Sequence, residues 1–289
     1  MSDYLLISLS VLMFGTCFLF NDVYRKMRGS TLKISLQSSL FAAIGGLAVM
    51  IVINGLVFEK PTPFTLLMAF LSTVNGFLFT FCGFRALDSI NLSLYSLFSM
   101  LGGMVLPFLQ GIIFYHEPLT YDKIVCFALI CVALLLTVER GNEKKKKGSI
   151  YYVAIFLLNG MSGVLSKIFA SAPFDKTSAA AYSMYSSGMK IVLALFFLWI
   201  LHNKLPKVPP NTLKSVGIAL GSGAVNRVAN FWLILALANV DASVQYPMVT
   251  GGVMIVSTAV CYLCKDKPSR KEVLSVLIAF LGLLLLFLL

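Results

Sequence analysis

Arg140-Gly141-Asn142-Glu143-Lys144-Lys145-Lys146-Lys147-Gly148-Ser149 carries five cations and splits a 289-residue chain into two halves, each almost continuously apolar. The halves repeat one another. Gly102-Gly103 recurs as Gly251-Gly252, and Glu117-Pro118-Leu119-Thr120 aligns with Asp266-Lys267-Pro268-Ser269, both at an offset of 149 residues. Apolar repeats joined by a charged linker are the pattern of membrane carriers built from internal repeats. The chain therefore divides into a first repeat at 1–139, a basic linker at 140–149 and a second repeat at 150–289.

Composition points to a bilayer. Hydrophobic residues make up 58% and charged residues 12%, and the mean hydropathy is +0.89, outside the balance of a soluble domain. The net charge of +11 does not imply nucleic acid, because the cations lie between apolar runs, where they meet headgroups and cytoplasm. The run from Leu5 to Phe20 has neither a basic leader nor a small-residue cleavage site, which predicts a retained span. Most of the six cysteines lie inside apolar runs, where a thiol behaves as a small hydrophobe. Cys261-x-x-Cys264 has no second Cys/His pair nearby, so no metal site is expected, and nothing calls for a cofactor.

A span needs about 20 apolar residues. Ten are predicted, near 4–22, 34–58, 64–84, 91–114, 122–138, 150–170, 178–202, 212–238, 242–264 and 272–289. The expected fold is an all-α membrane protein with ten transmembrane helices arranged as two inverted five-helix repeats. Pro107 and Pro247 lie inside spans and should bend the fourth and ninth helices. Ser269 with Glu272 reads as a capping box opening the last helix, and Thr120 stands in the matching place before the fifth. Gly217-x-x-x-Gly221 reads as a close helix contact. Lys and Arg number 17 in the odd-numbered loops and 3 in the even-numbered loops and termini. The positive-inside rule then makes the linker cytoplasmic and both termini external, in a cell membrane of the bacterial inner-membrane kind. Five spans per repeat, an odd number, inverts the second repeat relative to the first.

Ten spans in two repeats, the Glu117-Pro118-Leu119-Thr120 loop and the glycine-rich fourth helix resemble the drug/metabolite transporter superfamily, in its EamA-like branch. Phe14-Gly15 and Asn159-Gly160 resemble the Trp-Gly that often opens helices one and six there, with Trp absent from both. Gly102-Gly103 stands where many members have Pro. The resemblance covers the whole chain. It implies a cavity lined by helices 1, 3, 4, 6, 8 and 9, worked by alternating access.

Ionisable groups inside a bilayer are costly and mark function by default. Arg227, central in the eighth span, has Asn226 and Asn230 beside it. It either holds a solute carboxylate or phosphate or forms a structural ion pair. Lys190, midway along the seventh span, is expected to serve packing. Lys167 either snorkels to the surface or pairs across the pseudo-axis with the Asn21-Asp22 region. No Glu lies deep in a span, and Cys17, Phe18 and Leu19 occupy the first-helix neighbourhood where small multidrug exporters carry their buried Glu. That disfavours proton/cation exchange and favours an anionic or zwitterionic solute. Tyr95 and Ser99 share a face of the fourth helix. Gln245, Tyr246 and Thr250 flank the proline and glycines of the ninth, where freed carbonyls can bind a ligand.

The only histidines, His116 and His202, sit at span ends, and no nucleophile–base pair or phosphate loop is present, so no enzyme is expected. The expected partners are a small-molecule substrate and the lipid bilayer, with the oligomeric state open. The leading reading is a carrier for a small anionic or zwitterionic metabolite, such as an amino acid or a phosphorylated or carboxylated compound. The alternatives are a carrier for a quaternary amine, caged by Tyr95, Trp232 and Tyr246 through cation–π attraction, and a lipid-carrier flippase.

Overall fold

The computed structural model describes residues 3–29, 31–87, 92–136, 149–201, 205, 208–263 and 270–288. Among these the chain is all-helical. Its helices are α1 (Asp3–Arg28), α2 (Leu32–Ile53), α3 (Pro63–Leu87), α4 (Leu92–Tyr115), α5 (Tyr121–Leu136), α6 (Ser149–Ser171), α7 (Ala179–Ile200), α8 (Leu213–Ala236), α9 (Ala242–Leu263) and α10 (Arg270–Leu288). Seven of them, α1 to α4 and α6 to α8, are long and apolar enough to cross a membrane. Bulky apolar side chains such as Val52, Phe114, Val192 and Trp199 point outward, each 68–76% exposed. Such a surface suits lipid, and helices suit a bilayer because every backbone polar group is satisfied within its own segment. The protein is a helical membrane protein.

Local sequence explains where the helices start and stop. Thr212 and Ser215 cap α8 reciprocally, each hydroxyl accepting from the other's backbone N–H at 3.2 and 3.1 Å. The Ser178 hydroxyl accepts from Ala181 N–H at the start of α7. α2 ends at Ile53, five residues before the apolar run does. Leu56 N–H reaches back to the Ile51 carbonyl, with Gly55 and Leu56 both at left-handed φ, a helix-terminating turn. α1 instead runs six residues past its expected end and stops at Gly29, whose φ of +92° terminates it. There Arg28 donates to the Pro209 and Pro210 carbonyls, both at 2.6 Å, and to Gln37 at 3.1 Å, tying the α1–α2 corner to the α7–α8 loop. Pro107 and Pro247 remain inside α4 and α9. Ser269 and Cys264, on which the capping box and the C-x-x-C reading depended, lie outside the described residues.

The bundle is knit across its midpoint. α4 packs on α6, α8 on both α1 and α2, α7 on α2, and α10 on α5. Two of these seams need glycine. A Cβ at Gly45 would strike the Leu220 carbonyl of α8, and one at Gly223 would strike the Ala42 carbonyl of α2, so the two backbones touch reciprocally. On the other side a Cβ at Gly102 would strike the Phe156 carbonyl of α6. Gly217 and Gly221 do not make the expected close contact: a Cβ at either meets nothing within 4 Å. The face of α8 that packs carries Ala219, Ser222 and Gly223 instead, all buried.

One end of the bundle is laced by polar ties. Glu59, after α2, accepts from Ser178 N–H at 2.8 Å and from the Ser178 hydroxyl, and its carbonyl accepts from Tyr185. Thr177 donates to Thr65. Glu117, after α4, accepts from Ala242 and Ser243 N–H at the start of α9, both at 2.9 Å. Lys123 of α5 meets Asp241 at 2.7 Å. Each tie joins the first repeat to the second.

Candidate functional site

Away from those ties, a cavity of about 370 Å³ lies between α1, α2, α7 and α8. Helical periodicity builds its walls. Ser35, Ser38, Ser39 and Ala42 recur at i, i+3, i+4 and i+7 and form one face of α2. Ser222, Gly223, Asn226 and Arg227 come from one face of α8, Asn21 and Tyr24 from α1, and Lys190 from α7. Gly29 and Ile34 line it near the α1–α2 turn, which places its mouth at the end opposite the polar ties.

Two cations, Lys190 and Arg227, reach this space, both half-buried, and no carboxylate is among its described lining residues. Their charges are close enough to repel each other. Asn230 donates to the Asn226 carbonyl and side-chain oxygen at 2.8 and 3.1 Å. The Asn226 side chain also lies beside the Cys17 thiol and lines the cavity. Asn21 accepts from the Ser222 hydroxyl at 3.0 Å, locking α1 to α8 beside the cavity. The Tyr24 hydroxyl is buried at 5% exposure and lies beside the Arg28 guanidinium. The two groups interact, although their contact falls short of a well-formed hydrogen bond. The arrangement is a donor-rich, positively charged chamber suited to an anion.

The remaining sequence candidates lie elsewhere. Lys167 pairs with Glu117 of the α4–α5 loop, and the Asp22 side chain of the expected Asn21-Asp22 partner region lies outside the described residues. The Lys167 ammonium sits 2.9 Å from Glu117, and the two side chains are 8% and 4% exposed. Lys167 also stands 5.2 Å from the centre of the Tyr115 ring. One in-span cation thus has a buried carboxylate partner, supplied by a loop that the sequence reading placed outside the span. Burial pushes the Glu117 carboxyl up, but the Ser243 N–H, the Lys167 ammonium and the Ala242 N–H outweigh it and hold it below the usual range. Tyr246 donates to the Gly163 carbonyl of α6 at 2.9 Å. Gln245 is fully buried and donates to the Leu233 carbonyl at 3.1 Å, with its side-chain oxygen unpartnered. Ser99 presents its carbonyl to Asn159 at 2.7 Å. Thr250 lies on α9, half-buried. None of these five lines the cavity. The side chain of Tyr95 lies outside the described residues. Trp232 packs with Met50, Met184 and Val228.

The described cavity therefore gathers Arg227, Asn226 and Asn21 from the sequence candidates. It adds Lys190, expected only to pack, and the α2 serines and Tyr24, which the sequence reading missed. The signal was present: the hydroxyls of Ser35, Ser38 and Ser39 share one face inside an apolar run. The chamber also draws on α2 and α7, where the resemblance implied α3, α4, α6 and α9 alongside α1 and α8.

No family model and no curated protein matches the chain. Among the 29 solved chains that match in structure, one superposes with a TM-score of 0.74 at 18% identity, covering 99% of this chain and 96% of its own. That likeness extends over the full length of both chains and concerns the fold.

Proposed function

We propose that the protein is a ten-span carrier, built as two inverted repeats, that moves a small organic anion across the cell membrane by alternating access. The observation that carries this reading is the pair of cations, Lys190 and Arg227, in one chamber with hydroxyl and amide donors and no described carboxylate. An uncompensated charge inside a bilayer is expensive, and a bound anion is the partner that relieves two of them. Arginine adds a planar fork matched to carboxylate or phosphate oxygens.

The packing supports the inverted repeat. Exchanging α1–α5 for α6–α10 carries α1·α8 onto α6·α3, α2·α8 onto α7·α3 and α4·α6 onto α9·α1. It leaves α2·α7, α4·α9 and α5·α10 on themselves. The resemblance to EamA-like members of the drug/metabolite transporter superfamily points the same way. On the cation count, the chamber mouth beside Gly29 faces the cytoplasm, the polar ties close the outer end, and both termini are external. A carrier resting open to one side has this asymmetry. The quaternary-amine reading is weaker, since both cations repel such a ligand and the Tyr246 hydroxyl is engaged by the Gly163 carbonyl.

The test is a pair of variants assayed on an identified solute. Arg227→Ala abolishes transport while the amount and melting temperature of the protein stay near wild type, and Arg227→Lys retains charge, folds normally and transports weakly. If Arg227 served packing, Arg227→Ala would be the variant that fails to fold. Full transport by both variants would sink the reading.

A further inference from the structure

We infer that the anion held between Lys190, Arg227 and the α2 serines is a phosphate monoester, an inference that rests on the anion-carrier reading and narrows it. Two neighbouring cations in one small chamber call for a compact double charge. A phosphate monoester carries about −1.5 to −2 on a single tetrahedral centre at neutral pH. A dicarboxylate divides the same charge between two separated planes. Donor geometry points the same way. Lys190 on α7, Arg227 on α8 and Ser35, Ser38 and Ser39 on α2 line the chamber from three different helices. Three phosphate oxygens accept from such directions, whereas a carboxylate accepts from donors near its own plane.

Two further features lie at the mouth. Tyr24, 5% exposed, belongs to the chamber wall, and its hydroxyl lies beside the Arg28 guanidinium without a well-formed hydrogen bond. A buried hydroxyl without a well-formed hydrogen bond is costly, and a ligand oxygen gives it an acceptor. Beside it α2 begins, and its N-cap Thr31 makes no side-chain cap to the free N–H groups of the first turn. Gly29, Ile34 and Ser35 from this turn also line the chamber, so the positive end of the helix faces the same ligand. The volume of about 370 Å³ equals on the order of a dozen water molecules in the liquid. That is room for a phosphate on a small organic group. The same headgroup chemistry is available from a soluble metabolite or from a lipid monophosphate whose tail stays in the bilayer.

The experiment follows melting of the purified full-length protein in detergent at pH 7.5 and matched ionic strength. The probes are inorganic phosphate, methyl phosphate, malonate and dihexanoyl phosphatidic acid, a short-chain lipid monophosphate. Methyl phosphate is expected to raise the melting temperature saturably and malonate to leave it unchanged. Arg227→Lys and Lys190→Gln should each weaken methyl phosphate at least about tenfold, the loss of one charged hydrogen bond. Tyr24→Phe should weaken methyl phosphate while leaving the melting temperature of the ligand-free protein near that of wild type, a combination that a purely structural tyrosine does not give. Dihexanoyl phosphatidic acid binding at least as tightly as methyl phosphate assigns the site to a lipid. Methyl phosphate binding alone assigns it to a soluble metabolite, and either result supports the inference. Stabilisation by malonate equal to or greater than that by methyl phosphate overturns the phosphate assignment and leaves the anion carrier standing. A protein that responds to no anion, or variants that respond as wild type does, would sink both.

Discussion

Breaking the Glu117–Lys167 pair should destabilise the protein by an amount that depends on which partner is removed. The pair is 2.9 Å apart with both side chains nearly inaccessible, and removing one partner of such a pair costs about 3–5 kcal/mol because it leaves a buried charge unpaired. The two halves of the perturbation are unequal. After Lys167→Met the carboxylate keeps the Ala242 and Ser243 N–H groups at 2.9 Å and still faces the positive end of α9, which puts the loss near 3 kcal/mol. After Glu117→Gln the buried ammonium keeps the face of the Tyr115 ring at 5.2 Å, and α9 loses its charged cap, which puts the loss near 5 kcal/mol. The double variant carries neither charge, so its loss should fall short of the sum of the singles by about 2–3 kcal/mol, the upper range for coupling between residues in contact. Reversible unfolding in mixed micelles, with denaturing detergent as the titrant, measures all four proteins. Singles costing under 1 kcal/mol, additive effects, or a larger loss for Lys167→Met than for Glu117→Gln would rule out a coupled buried pair of this strength.

Glu117 also sets a pH dependence. Its folded carboxyl titrates below the model-peptide value of 4.5, so its stabilisation is complete above that value and is lost as pH falls through the lower folded one. Acid melting of Glu117→Gln should accordingly be flatter than that of wild type. Gly102→Ala should abolish folding or lower the melting temperature sharply, since its Cβ enters the Phe156 backbone. Gly217→Ala, in open space, should be neutral or stabilise by roughly 0.5–1 kcal/mol. Thermal melting of the two proteins side by side decides it. A reporter fused after Leu289 should score as external and one inserted between Lys144 and Lys147 as cytoplasmic; a cytoplasmic C-terminus would overturn the inverted arrangement.

Helix number and approximate bounds were legible in the sequence because apolar length alone defines them. The exceptions have local causes. The α2 run outlasts its helix because Gly55 and Leu56 turn left-handed, and α1 continues to Arg28, which finds carbonyl acceptors in a loop 181 and 182 residues away. Arg227 and Asn226 were legible as site residues because a cation with amides in a span has few uses. Lys190 was not, because a lysine's role depends on which neighbours its flexible stem reaches, and α2 and α8 are distant in sequence. Lys167 was misjudged for a similar reason: its partner Glu117 sits in a loop of the other repeat and folds back into the bundle. Gly217-x-x-x-Gly221 shows the limit of a motif. Spacing supplies a small-residue face, but only packing decides whether a helix lies against it.

In the proposed carrier, Lys190 and Arg227 hold the transported anion. The most direct test presents proteoliposomes of wild type and Arg227→Ala, matched for folded protein, with an isotope-labelled metabolite extract and identifies the accumulated solutes by mass spectrometry. Wild type is expected to accumulate one or a few anionic solutes and the variant none. Accumulation of a cationic or neutral solute, or equal accumulation by both proteins, would contradict that role.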